Sequence, residues 1–173
     1  MPEIWVIDDN EVTRRDVKEG LEERIVRDLP AVANQWSVID RWITPHQALA
    51  ALAASPTEDR ALYAAVFDLY TEVRGQNIRT DERRDTLDSI KSNIEIAEKF
   101  AKSGIHVTVY SQVILYFTHV VQDAKAVEEL LDELRNRNLF DGFVDKNGFE
   151  KAKDEVDEIW NHILSKLKVD TPS

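Results

Sequence analysis

The sequence predicts an α/β fold: a doubly wound, five-stranded parallel sheet with helices on both faces. Three observations carry that expectation. Short apolar runs of strand length alternate with longer segments of helical period along the chain. One of these runs, Leu62 to Phe67, is continuously apolar, as a strand covered on both sides must be. The strand-like runs also end abruptly on polar residues: Asp8-Asp9, Asp68, Ser111 and Asp145-Lys146.

Taken in order, the first strand is Ile4-Trp5-Val6-Ile7. The helix after it runs to about Leu29, with Val17, Leu21, Ile25 and Leu29 on one stripe, and Pro30 closes it. The second strand reads Trp36 to Trp42. Thr44-Pro45 then supplies an N-cap and a proline at the first helical position, opening an Ala-rich helix that ends near Ser55-Pro56. After the third strand, Leu62 to Phe67, the charged stretch from Thr71 to Asp85 reads as a long surface insert. The next helix places Leu87, Ile90, Ile94, Ala97 and Ala101 on one stripe, with Gly104 as a left-handed C-cap. The fourth strand is Ile105 to Tyr110.

Residues 113–138 read as an extended helical segment. Val113, Phe117, Val120, Ala124, Val127, Leu131 and Leu134 alternate in steps of four and three. An unbroken helix there would be about 37 Å long at 1.5 Å per residue, so a break near Thr118 is expected, with Asp123 capping a second helix. The fifth strand is Phe140 to Val144. The last helix runs from about Phe149 to Leu167, with Phe149, Ala152, Val156, Ile159, Ile163 and Leu167 inward. One domain then spans residues 1–169, and 170–173 form a frayed tail.

Composition narrows the function classes. The chain has 173 residues, enough for one self-sufficient core. Its 33 acids against 22 bases give a formal charge of −11, which argues against binding a nucleic-acid backbone. With no cysteine there is no disulfide, thiolate metal site or cysteine nucleophile, which fits a cytoplasmic protein. No apolar run is long enough to cross a membrane, and MPEIWVIDDN lacks the marks of a secretory signal. The four histidines, His46, His106, His119 and His162, have no metal-ligand spacing and read as structural or solvent-facing. Trp5, Trp36, Trp42 and Trp160 read as packing residues.

In an open parallel sheet, ligands bind outside the carboxyl ends of the strands. With the strands in the order 2-1-3-4-5, Asp8, Asp9, Asp68, Ser111 and Lys146 converge on one edge. Three carboxylates in one crevice repel one another unless a cation sits among them. Oxygen ligands without His or Cys favour a hard ion, Mg²⁺ above others. A divalent ion beside a lysine and a hydroxyl is equipment for handling a phosphoryl group, and a carboxylate can itself be the nucleophile.

The stretches Val6-Ile7-Asp8-Asp9-Asn10, Val66-Phe67-Asp68, Val109-Tyr110-Ser111 and Gly142-Phe143-Val144-Asp145-Lys146 resemble, in order and strand context, the receiver domain of two-component response regulators. The resemblance covers about residues 3–168 and implies the flavodoxin-like order 2-1-3-4-5. It implies that Asp68 is the phosphoacceptor. Asp8, Asp9 and Asp68 would hold Mg²⁺ together with the backbone carbonyl of Tyr70. Ser111 and Lys146 would contact the phosphoryl group, and Ser111 and Phe143 would form the switch, the hydroxyl moving in and the ring turning inward.

The resemblance implies a stand-alone, cytoplasmic signalling phosphoprotein rather than a dedicated enzyme, although it would be able to lose its own phosphoryl group. It would take that group from a histidine kinase or histidine phosphotransfer protein in a phosphorelay. It would signal through a changed surface to a downstream protein, with homodimerisation as one route.

The chain also departs from the family pattern. Glu72 and Asn147 stand where prolines are usual, and Gln112 stands where a small residue normally follows the switch hydroxyl. Gln112 therefore sits where it would limit access. A degenerate, unphosphorylated interaction module is the alternative. A haloacid-dehalogenase-type phosphatase fits less well, because Asp8-Asp9-Asn10 lacks the Asp-x-Asp spacing and no strand follows Lys146.

Overall fold

Ile4 and Val6 point to one side of their strand and Trp5 and Ile7 to the other, and all four are buried. That double burial places β1 (Glu3–Ile7) in the middle of a sheet. The computed structural model describes residues 2–55, 61–69, 80–112, 114, 117–118, 122–146 and 152–170. Within them β1, β2 (Ser37–Ile39), β3 (Leu62–Phe67), β4 (His106–Ser111) and β5 (Phe143–Asp145) form one five-stranded sheet in the order β2-β1-β3-β4-β5. Every pairing is parallel. The helices are α1 (Glu11–Asp28), α2 (Pro45–Ala54), α3 (Thr80–Lys102), α4 (Ala124–Asn136) and α5 (Ala152–Asp170). No helix among the described residues is long and apolar enough to cross a membrane.

Two apolar layers sandwich the sheet. Trp5, Ile7, Ala65, Phe67, Val107 and Val109 meet Ala48 and Leu52 of α2, Ile90, Ile94 and Ala97 of α3, and Ala126, Leu130 and Leu134 of α4. On the other side Ile4, Val6, Ala64, Val66, Tyr110 and Val144 meet Val17, Leu21 and Ile25 of α1 and Val156, Ile159, Trp160 and Ile163 of α5. The strand residues change layer at every step, the period-two signature of a sheet buried on both faces. Caps bound the helices as expected: Asn10, Thr44 and Asp123 accept from Thr13, Gln47 and Ala126. Gly104 closes α3 with φ +83°.

Several expected boundaries move. The second strand is shorter than Trp36–Trp42: the charged Asp40-Arg41 pair ends the ladder, and Trp42 leaves it to pack on Trp5 with ring centroids 3.8 Å apart. The charged insert is helical from Thr80, so residues 80–85 extend α3 rather than ending a loop. Glu and Arg are good helix formers even without an apolar stripe, which begins only at Leu87. Residues 71–79 of the insert lie outside the described residues.

The even seam through 113–134 is replaced by a break. Gln122 takes φ +54° and the Asp123 amide donates back to the Phe117 carbonyl at 2.8 Å. Asp123 then restarts the helical phase, so Ala126, Leu130 and Leu134 point inward and Ala124 is exposed. Val113 and Val120 lie outside the described residues. The fourth strand includes Ser111, and the fifth starts three residues late because Phe140–Gly142 forms a 3₁₀ turn. Asp170, expected in the tail, ends α5, while Phe149 and 171–173 lie outside the described residues.

Candidate metal centre

The register of the sheet assembles the site. Ile7 pairs with Phe67, and Phe67 with Val109, so the chain ends of β1 and β3 leave the sheet abreast. The Asp68 amide continues the ladder onto the Ile7 carbonyl at 2.9 Å, which brings Asp8 and Asp68 side by side. At the other edge Ser111 pairs with Asp145, and the Lys146 amide donates to the Ser111 carbonyl at 3.0 Å. Four strand ends thus deliver a side chain to one crevice, Ser111 from the last position of β4 and Asp8, Asp68 and Lys146 from the position after β1, β3 and β5.

Asp8, Asp9 and Asp68 each offer a carboxylate oxygen there, all within 4.8 Å of one another. Asp8 is 3% and Asp68 5% exposed, while Asp9 is half-buried. Lys146, 8% exposed, sends its Nζ between the two buried acids, 2.8 Å from Asp8 Oδ2 and 3.4 Å from Asp68 Oδ2. Burial works against its charge, but Asp68 and Asp8 outweigh that and raise its proton affinity above the usual lysine value. Ser111 is fully buried and its Oγ donates to Asp68 Oδ1 at 2.8 Å. Each oxygen of the Asp68 carboxylate therefore faces a donor.

Backbone geometry is secured from several sides. The Asn10 amide donates to Asp8 Oδ1 at 2.8 Å, and Arg14 Nη1 donates to the Asp8 carbonyl at 2.7 Å. Asn93 of α3, buried on the inward stripe, donates to the Leu69 carbonyl at 2.8 Å and holds the chain just beyond Asp68. Sequence reasoning missed Asn93 as a site support, although a polar residue one turn from Ile90 on a buried stripe is a readable signal. It also missed Tyr110, whose ring lies under Lys146 Nζ at 5.0 Å and whose hydroxyl bonds to buried Glu155 of α5. Asn93 lies on a helix, and Tyr110 was read as the last apolar residue of its strand rather than as one of the polar residues that end it.

Of the remaining candidates, Phe143 pairs with Val109 and is half-buried against the α3–α4 layer. Gln112 is half-buried directly after Ser111. Tyr70, Glu72 and Asn147 lie outside the described residues. Among the described residues no histidine joins the acidic cluster: His46 is exposed, and His162 shares a hydrogen bond with Thr108 at 2.9 Å. His119 lies outside the described residues.

The donor set suits a hard divalent cation. Its ligands are carboxylate oxygens, and two of the three are shut away from water, so solvent screens their repulsion poorly. Lys146 offsets one of the three negative charges, leaving a deficit that a divalent ion would balance. No known family model matches the chain, and no curated protein matches it significantly.

Proposed function

We propose that this chain is a receiver-type switch that accepts a phosphoryl group on Asp68 with Mg²⁺ bound by Asp8, Asp9 and Asp68. The observation that carries the reading is the setting of the Asp68 carboxylate. Ser111 Oγ and Lys146 Nζ approach its two oxygens at 2.8 and 3.4 Å, beside two further acids at the carboxyl edge of a parallel sheet. A plain ion pair would need neither the hydroxyl nor the extra carboxylates.

In this reading a carboxylate oxygen of Asp68 attacks the phosphorus of a phosphohistidine on a kinase or phosphotransfer protein. The P–N bond breaks, the imidazole nitrogen keeps the electron pair, and Asp68 becomes a mixed carboxylic–phosphoric anhydride. Lys146 neutralises charge on the transferred oxygens, and Ser111 donates to one of them. Mg²⁺, when bound, supplies further charge neutralisation and orientation.

Ser111 already lies inward on Asp68, so its donor is in place before the transfer. Movement of the Ser111 backbone is felt at β5 through the Lys146 amide, and Phe143 stands at the head of that strand. The message then leaves as a changed surface recognised by a protein partner. The chain acts as an acceptor and signal carrier, not as a turnover enzyme.

Incubation with acetyl phosphate and Mg²⁺, followed by mass spectrometry of borohydride-reduced peptides, tests the proposal. Asp68 is expected to be labelled, and Asp68→Asn to remain unlabelled. Mg²⁺ binding without any labelling would make the domain an unphosphorylated interaction module instead.

A further inference from the structure

We infer that Tyr110 is a positioning residue for Lys146: its ring, clamped through its hydroxyl by Glu155, holds the ammonium between Asp8 and Asp68. The inference rests on the phosphoryl-acceptor reading for its consequence, but the placement itself is independent of it.

Lys146 gives up nearly all contact with water, and an ammonium so enclosed must be held in three dimensions by the protein. Its carboxylate acceptors lie at 2.8 and 3.4 Å, and the face of Tyr110 stands 5.0 Å from Nζ, within cation–π range. Tyr110 is itself 5% exposed and pairs with Val144 across β4 and β5. Its ring therefore lies in the same apolar layer as Val144, two residues before Lys146.

The hydroxyl fixes the ring. It donates to the carboxylate of Glu155, which is 6% exposed in the first turn of α5. A carboxylate acceptor strengthens that hydrogen bond and enriches the ring facing the ammonium. A first-turn acid is also favoured by the helix dipole, which holds the acceptor itself in place. Burial and the neighbouring acids Glu155, Asp8 and Asp68 push the phenol well above its ordinary pKa, so it stays a neutral donor. Ser111 lies in β4 and the Lys146 amide bonds to its carbonyl, so both donors on Asp68 adjoin the strand that Tyr110 pins to α5.

The test compares Tyr110→Leu, which loses the ring, Tyr110→Phe, which keeps the ring but loses the clamp, and Glu155→Gln, which keeps an acceptor. Ile163→Val is the control for general loss of core stability. The readouts are the ¹⁵N NMR signal of the Lys146 ammonium, Mg²⁺ affinity, and the rate of Asp68 labelling by acetyl phosphate. Tyr110→Leu is expected to move and broaden the Lys146 signal and slow labelling about tenfold, with Mg²⁺ affinity changed by less than about twofold. Tyr110→Phe should slow labelling about threefold, and Glu155→Gln should stay close to the parent.

A Lys146 signal and labelling rate in both Tyr110 variants matching those of Ile163→Val would overturn the inference. If the parent protein takes no label yet the Lys146 signal still moves in Tyr110→Leu, the positioning role stands and the phosphoacceptor reading falls.

Discussion

His162 places a titratable ring where charge is unwelcome. Its Nδ1 shares a hydrogen bond with Thr108 Oγ1 at 2.9 Å, and its Cε1 lies 2.8 Å from where a Cβ on Gly142 would stand. Burial lowers its pKa first; Lys166 on the same helix and His106 on β4 lower it further, against a smaller opposing pull from Asp141. A histidine with a depressed folded pKa binds a proton more readily when unfolded. Its stabilising share is therefore complete above the ordinary value near 6.5 and is lost as pH falls below that through the folded pKa. Between about pH 7.5 and 5.5 the urea midpoint should fall, and His162→Asn should flatten that fall. An unchanged pH slope in the variant would show that other groups carry it.

At the scale of elements, the turn that feeds β5 packs tightly against β4. A Cβ added at Gly142 would stand 2.6 Å from the Val107 carbonyl, a backbone atom inside β4 that cannot step aside. Gly142→Ala should cost about 2–3 kcal/mol by denaturant melt, through displacement of β5 and with it Lys146. A melt within error of the parent would mean the 3₁₀ turn can shift without cost.

Legibility in the sequence follows the same divide between local and packed features. The parallel sheet, the faces of α1 and α3, the Gly104 and Asp123 caps and the edge carrying Asp8, Asp9, Asp68, Ser111 and Lys146 were readable, because strand-terminal polar residues and apolar periods are local signals, while the strand order rested on the resemblance. The phase of α4 was not. One residue with positive φ, Gln122, resets it, and a non-glycine residue gives no advance notice of that conformation. Tyr110 was hidden for another reason: a tyrosine in an apolar strand reads as core, and its partner Glu155 lies forty-five residues away.

For the whole molecule, the formal charge of −11 raises the question of what a divalent cation would do to stability. Two contributions are separable. Screening of a broadly acidic surface responds to ionic strength alone, whereas an ion held by Asp8, Asp9 and Asp68 is linked to folding by its affinity for one site. At a Mg²⁺ concentration near 100 times its dissociation constant, the linked term is roughly 2.7 kcal/mol. For a domain of this size that is a rise in melting temperature of about 5–10 °C, which NaCl at equal ionic strength should not reproduce.

Asp9→Asn should lose most of the Mg²⁺ shift while keeping or raising the ion-free melting temperature, since it removes one of three like charges from the crevice. Lys146→Met should do the reverse. It strips the buried carboxylates of their ammonium at a cost of roughly 3–5 kcal/mol, and Mg²⁺ should then stabilise the variant by more than it stabilises the parent. The opposite signs of the two variants separate a site from a surface. Equal Mg²⁺ shifts in parent, Asp9→Asn and Lys146→Met would mean that the ion acts on the acidic surface at large and that the three carboxylates do not bind it together.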